Sequence, residues 1–140
     1  MSDIFDRIYL HVIFCVRQAS DPLRSEWLRP LEHHLINHLR EERHPLLGMA
    51  VLQDHVHLLI RYRPGKPLGG LIRQLKKSSS GFLKEAFPVA ASSFDWQKGF
   101  AAISISSQRV EKVRSYLQAQ SAYHHQYTVE EEMTRLISNL

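Results

Sequence analysis

Alternating hydrophobic and polar residues predict a first β-strand at residues 7–16. The alternation puts two sets of side chains on opposite faces, namely Ile8, Leu10, Val12, Phe14 and Val16 on one and Tyr9, His11, Ile13 and Cys15 on the other. Segments 46–53, 55–62 and 100–106 also predict strands, with Asp54 at a tight turn between the first two.

Helical periodicity appears between and after these strands. Residues 22–43 carry apolar side chains at near-fourfold spacing, which are Leu23, Trp27, Leu31, Leu35 and Leu39. Residues 68–87 repeat the pattern, and two more helices are expected at about 107–125 and from Thr128 onward. Thr128 with Glu131 three residues later has the spacing of a helix-capping pair.

The predicted order is β-α-β-β-α-β followed by helices. This order indicates an α+β protein of the ferredoxin-like (RRM-like) class, with an antiparallel sheet and additional C-terminal helices. We expect a single domain over residues 1–140, with helices on one face of the sheet and the other face free. Functional side chains are then sought on the free face.

Composition narrows the class of protein only slightly. Hydrophobic residues make up 44% of the 140 residues and charged residues 23%, as in soluble globular proteins. No apolar stretch approaches the ~20 residues that cross a bilayer, so no membrane partner is expected. The lone Cys15 cannot form an internal disulfide, which favours a cytoplasmic location. The net charge of +4 suits a polyanionic partner, but many proteins share it.

A His-x-His pair begins the third predicted strand. Because strand side chains alternate, His55 and His57 point one way while Val56 points to the core. Two imidazoles on one face can share a divalent cation. An exposed or hydrogen-bonded pair without a metal fits the same spacing.

Tyr116 and Gln120 lie four residues apart on a predicted helix and therefore share a face. A tyrosine hydroxyl can attack a phosphodiester and store the bond as a phosphotyrosine. Its ordinary pKa is about 10, so a nearby cation is needed to polarise the phosphate, and Gln120 can offer a third metal ligand. Tyr123 and Tyr127 lack this partner one turn beyond. Alternatively, Tyr116 packs in the core beside its apolar neighbours.

Basic residues cluster on the second predicted helix. Arg73, Lys76 and Lys77 are followed by serines at 78–80. Cations and small donors position a nucleic-acid backbone, so these three are candidate DNA-binding residues. A solvated helix face explains the same pattern.

Several segments together resemble the single-tyrosine (HUH) transposases of the insertion-sequence-200/605 family. In chain order they are IYLHVIFCVR, DHVHLL at 54–59, LKKSSS at 75–80, FDWQKGF at 94–100, VRSYLQAQ at 113–120, and then His124-His125 and Glu130-Glu131-Glu132. The resemblance spans nearly the whole chain. An ordered set of this kind is specific where each motif alone is not.

This resemblance implies a transposase that cleaves and rejoins single-stranded DNA at hairpin-bearing element ends. Tyr116 would be the nucleophile, leaving a 5′-phosphotyrosine on one side and a free 3′-hydroxyl on the other. His55, His57 and Gln120 would be the ligands of Mg²⁺ or Mn²⁺. The resemblance also implies a homodimer in which the tyrosine helix of one subunit serves the histidine pair of the other.

Two alternatives remain open at this point. One is a host-domesticated relative that processes repeat hairpins. The other is a non-catalytic module that binds single-stranded nucleic acid on sheet aromatics such as Tyr9, although His11, His55 and His57 on the same face fit a metal better. One departure from the family pattern also stands out, because Gly-Tyr-Gly-Ala-Phe-Ser is replaced here by GFAAIS at 99–104. The change at Phe100 and Ala101 is expected to affect the fourth strand or the fit of DNA.

Overall fold

A computed structural model describes residues 5–120, 124 and 127–138, with residues 137 and 138 described by their backbone only. Within these ranges the elements are β1 (Ile8–Cys15), α1 (Ser25–Glu41), β2 (Leu46–Val51), β3 (His55–Tyr62), α2 (Leu68–Ala86), β4 (Ala101–Ile105), α3 (Val110–Gln118) and α4 (Val129–Ser138). A short 3-10 turn, Ser107–Arg109, leads into α3. None of the described helices has both the length and the apolar character to span a membrane.

The four strands form one sheet in the order β2-β3-β1-β4, with every neighbouring pair antiparallel. The predicted ferredoxin-like α+β class is confirmed. In the register of β1 and β3, His11 lies opposite Leu59 and Ile13 lies opposite His57. Residues opposite one another share a face, so these side chains line the same side of the sheet.

The first face of the sheet is apolar and is covered by α1 and α2. Its buried strand residues include Val12, Phe14, Val56, Leu58 and Ile60. The helices contribute a matching set, namely Trp27, Leu31, Leu35, Leu39, Leu71, Leu75 and Leu83. Burying one such side chain stabilises the fold by about 1.5–3 kcal/mol. The five apolar residues that the pattern of 22–43 predicts are all buried, and of the predicted β1 face Val12, Phe14 and Val16 are buried.

Helix α1 is shorter at both ends than its periodicity predicts. It begins at Ser25 rather than at Pro22, because the Leu23 N–H donates to the Gln53 carbonyl (2.8 Å) and holds the chain extended beside the β2–β3 turn. It ends at Glu41, since Arg43 has a φ of 62° and cannot continue a right-handed helix.

The second face of the sheet is not free, so that expectation is wrong. At Gly48 on β2, an added Cβ would lie 3.4 Å from Leu117 Cδ1 and 3.5 Å from Arg114 Cγ. These are van der Waals distances, so α3 packs directly on the sheet at this glycine. Leu117 is buried there. Helix α3 ends at Gln118, and the predicted continuation through 121–123 and 125, including Tyr123, lies outside the described residues.

The fourth strand forms despite its departure from the family pattern. Ala101 pairs with Ile13, and Ile105 pairs with Tyr9. Phe100 precedes the strand and is exposed, and the φ of +86° at Gly99 turns the chain into it.

Candidate metal and nucleophile site

Strand β3 places His55 and His57 side by side on the second face. Both side chains are fully buried, and their Nε2 atoms lie 3.0 Å apart. The opposite ring nitrogens have partners of their own. His55 Nδ1 lies 2.6 Å from Asp54 Oδ1, and His57 Nδ1 lies 2.8 Å from His11 Nε2.

These outer partners prepare the two imidazoles for a cation. A carboxylate can only accept, so His55 donates from Nδ1 to Asp54. Its Nε2 is then left to face His57. Burial, reinforced by the neighbouring His57, lowers the pKa of His11 to about 3, so His11 is neutral. Metal-binding histidines commonly engage their second ring nitrogen in this way, and the pair fits that pattern.

The electrostatics of the pair are unequal. Burial opposes a charge on His55, but hydrogen bonds with Asp54 and Glu132 outweigh it and raise its pKa to about 9. Burial lowers the pKa of His57. Without a metal ion, His55 is therefore the ring that carries a charge and His57 the ring that does not. This difference limits the repulsion between the two rings.

Helix α3 brings the predicted nucleophile to the histidine pair. Tyr116 is half-buried, and its ring lies edge-on to His57 with the centroids 6.1 Å apart. Its hydroxyl donates to Glu132 Oε2. Gln120, predicted to share its face, is buried and donates from Nε2 to the same oxygen (2.9 Å). The structure therefore brings together the four residues that the sequence singled out for catalysis and metal binding.

Tyr116 does not pack in the apolar core, which was the alternative that its sequence neighbours allowed. Leu117 is the α3 residue buried against the sheet, whereas Tyr116 turns toward the polar cluster. Tyr127, the other described candidate near the C terminus, lies under the Arg135 guanidinium at 4.4 Å from the ring centroid.

Two residues of the cluster, His124 and Glu132, were not predicted as site residues. Glu132 on α4 is fully buried, and its Oε1 lies 3.2 Å from Nε2 of each of His55, His57 and His124. Burial favours the neutral acid, yet hydrogen bonds from His55 and His57 hold the pKa of Glu132 well below its usual range. The Thr128–Glu131 pair is confirmed as a cap, with the Glu131 N–H donating to Thr128 Oγ1 at 3.1 Å. The Thr128–Glu131 pattern predicted where the helix begins, but it did not indicate that Glu132 is the buried acid of this helix.

The basic residues predicted to bind DNA lie away from this cluster. Helix α2 packs on the first face, and Arg73 and Lys77 are exposed on it. Lys76 forms hydrogen bonds within the protein. Its ammonium donates to the carbonyls of Gln97 (2.7 Å) and Gly99 (2.5 Å). DNA binding by Arg73, Lys76 and Lys77 stays a prediction.

A cavity of about 1070 Å³ lies beside Asp54, the residue that precedes the histidine pair. It is bounded by the end of β1, the 97–101 segment and α4, and its lining includes Arg17, Asp54 and Met133. Asp54 links it to the site, because the same carboxylate accepts from His55.

Comparison with known proteins connects the chain to the transposases. A family model described as transposase IS200-like matches residues 4–120. The ISDra2 transposase TnpA of Deinococcus radiodurans is 23% identical over 114 residues, which cover 79% of this chain and 81% of that protein.

Two solved structures share the fold. One is a candidate transposase from Deinococcus radiodurans R1, with a TM-score of 0.67, 19% identity, and coverage of 86% of this chain and 95% of the other. The second is a REP-associated tyrosine transposase bound to a REP hairpin, with a TM-score of 0.63, 18% identity, and coverage of 89% and 74%.

Proposed function

The chain belongs to the family of IS200-like transposases, and on that premise we propose that it cleaves and rejoins single-stranded DNA through Tyr116. We place this activity in one domain spanning residues 1–140 and in the cytoplasm. One observation carries the proposal: the hydroxyl-bearing ring of Tyr116 lies against His57, within a cluster of buried donor atoms. A tyrosine that served packing alone has no need of such neighbours.

The proposed reaction exchanges one phosphate ester for another. The Tyr116 oxygen forms a bond to phosphorus, the bond from phosphorus to the 3′ oxygen breaks, and the proton lost by the phenol is balanced by protonation of the released oxygen. The product is a 5′-phosphotyrosine and a free 3′-hydroxyl. Because the number of phosphate ester bonds does not change, the step is reversible and needs no energy from ATP hydrolysis.

The donor atoms fit a divalent cation. His55 and His57 would hold Mg²⁺ or Mn²⁺, and the sequence resemblance implies a third ligand at Gln120, whose own contacts are taken up below. When bound, such an ion supplies polarisation of the phosphate and neutralises charge on its oxygens. Imidazole ligands match manganese and other transition ions better than magnesium, which prefers oxygen.

Hairpin-bearing DNA is the proposed substrate. The support comes from the relative that was solved with a REP hairpin and from the cavity beside Asp54, which offers room for unpaired nucleotides. The same relative supports a second candidate function, the processing of dispersed repeat hairpins by a domesticated enzyme. Cleavage of hairpins taken from the DNA flanking the gene, compared with hairpins from repeats elsewhere in the genome, separates the two.

A covalent-adduct assay tests the nucleophile. The protein is incubated with hairpin-bearing single-stranded DNA and Mn²⁺ or Mg²⁺, and the adduct is resolved on a denaturing gel and mapped by mass spectrometry. We expect the adduct on Tyr116 and none with Tyr116→Phe, while Tyr127→Phe serves as the matched control. An adduct on another tyrosine, or cleavage with no adduct, would overturn the proposal.

Mixing of variants tests how the site is assembled. The resemblance implies a homodimer with exchanged tyrosine helices, whereas Tyr116 in this structure contacts Glu132 and His57 of its own chain. Tyr116→Phe and His57→Ala subunits are each expected to be inactive. Cleavage regained in verified mixed dimers means exchange between subunits. Its absence means that each site is built within one chain.

A further inference from the structure

Helix α4 inserts a carboxylate, rather than an apolar side chain, into the protein. Among its side chains from 129 to 136, Glu132 alone is buried, with no exposed surface. A buried carboxylate is costly unless cations or hydrogen-bond donors surround it. The groups around Glu132 Oε1 are three imidazoles, which are themselves metal ligands of the commonest kind.

These four groups are close enough together to surround one ion. Nε2 of His55, His57 and His124 and Oε1 of Glu132 all lie within 4.8 Å of one another. Three of the separations are 3.2 Å and one is 3.0 Å. Ligands bound at about 2.0–2.2 Å in a tetrahedron stand roughly 3.3–3.6 Å apart. These four separations are slightly shorter than that, so the atoms would move slightly apart when an ion binds.

The tautomer of His124 agrees with a ligand role. Its Nδ1 lies 2.7 Å from the Tyr127 carbonyl. A carbonyl only accepts, so Nδ1 carries a hydrogen, and Nε2 is the ring atom that faces Glu132 and the centre of the cluster. His55 is oriented by Asp54 in the same manner. Such outer partners are the usual companions of a metal-binding imidazole.

Gln120 is placed differently. Its Nε2 donates to Glu132 Oε2 (2.9 Å), and its Oε1 lies 3.0 Å from His124 Nε2. The two polar atoms of the amide thus contact Glu132 and His124, and neither is hydrogen-bonded to His55 or His57. This position suits a residue that orients ligands.

We propose that His55, His57, His124 and Glu132 are the cation's protein ligands, and that Gln120 holds Glu132 in place from outside the coordination shell. The ion is a divalent transition ion such as Mn²⁺. Glu132 has a second task, because its Oε2 accepts from the Tyr116 hydroxyl and so positions the nucleophile beside the ion. The inference rests on the proposed function, and two of its ligands lie beyond residue 120, where the family match ends.

Cobalt(II) titration of the metal-free protein without DNA tests the ligand set. The visible absorption of bound Co²⁺ reports the number and kind of ligands. We expect Glu132→Gln and His124→Ala each to weaken Co²⁺ binding by at least about tenfold and to change the spectrum. Gln120→Ala is expected to keep the spectrum of the parent protein. Glu130→Gln is the control, since it removes the same charge from an exposed position on the same helix.

The outcomes separate this inference from the proposed function. A parent-like spectrum and affinity in Glu132→Gln, with a changed spectrum in Gln120→Ala, would overturn the inference and restore Gln120 as the ligand. Thermal unfolding of each metal-free variant checks folding. If Glu132→Gln does not fold, Glu132→Asp retains a carboxylate one methylene further back and must show an altered spectrum. Tyr116→Phe must bind Co²⁺ as the parent does, so loss of cleavage there tests the nucleophile alone.

Discussion

Successive residues of β3 are buried to the same depth on the two faces of the sheet, in opposite chemical surroundings. Val56 and Leu58 turn into the apolar layer under α1 and α2, while His55 and His57 turn toward α3 and α4. All four are fully buried. On the apolar face, stability follows from the area removed from water and is not directional. On the polar face, each buried group needs a specific partner at a specific distance.

This difference indicates where the chain can change without losing its activity. An apolar layer tolerates substitutions that conserve volume. A buried polar cluster does not, since a missing partner leaves another group uncompensated. We therefore expect the apolar face to contribute most of the folding stability and the polar face to carry the proposed chemistry.

The largest effect is expected for His57→Ala on the polar face. Losing the cation's polarisation of the phosphate removes several kcal/mol of transition-state stabilisation, or on the order of 10³-fold in rate. Hairpin binding should stay within a few-fold of the parent, because it does not depend on this ring. Single-turnover cleavage and hairpin affinity are measured side by side. Full cleavage by the variant with divalent ion present would remove the catalytic role of this face.

Leu58→Ala, one residue away on the apolar face, is expected to act on stability instead. Truncating a fully buried leucine costs about 2–5 kcal/mol of unfolding free energy, measured by urea denaturation. Under conditions where the variant is folded, its single-turnover cleavage should lie within a few-fold of the parent. Leu58→Met is the control, with an expected cost below about 1.5 kcal/mol. A loss of cleavage in fully folded Leu58→Ala would show that the two faces are not separable.

Sequence alone predicted the apolar half of the molecule almost completely. The period-two pattern of β1 and the near-fourfold spacing of Leu31, Leu35 and Leu39 are local signals, and each side chain has only to reach a nonpolar layer. The exact match of β3 has the same origin. Helix ends were less well predicted. The start of α1, for example, depends on a backbone hydrogen bond between Leu23 and Gln53, which are distant in sequence.

The polar half was predicted in part. His55, His57, Tyr116 and Gln120 were named from strand and helix spacing and then from the family resemblance, and the structure brings them together. Glu132 was not singled out, since it meets His57 across 75 residues of chain and nothing in the run Glu130–Glu132 distinguishes the buried acid from the exposed ones. A directional contact of this kind leaves no periodic trace.

Salt dependence of DNA binding tests whether the layer over the apolar face also has a function. Arg73 and Lys77 are exposed on α2, and the double change to glutamine should lower the slope of log affinity against log salt by about 0.7 per lost contact with single-stranded DNA. Lys76→Gln should instead loosen the 97–99 segment, detected by faster limited proteolysis, because its ammonium holds two carbonyls there. An unchanged slope in the double variant would leave these residues as a solvated helix face and confine DNA contact to other surfaces.

The smallest effect is expected for Thr128→Ala, which probes how far the polar face depends on a distant helix cap. Thr128 Oγ1 accepts from the Glu131 N–H, and Glu131 in turn accepts from the Thr128 N–H at 3.2 Å. Losing such a cap costs about 1 kcal/mol. If α4 must be helical to present Glu132, that cost appears as roughly fivefold weaker Co²⁺ binding. Thr134→Ala, an exposed position on the same helix, is the control and should bind as the parent does. Equal binding by Thr128→Ala and the parent would mean that the buried cluster, and not the cap, holds α4 against the sheet, so that the polar face supplies its own folding energy as well as the chemistry.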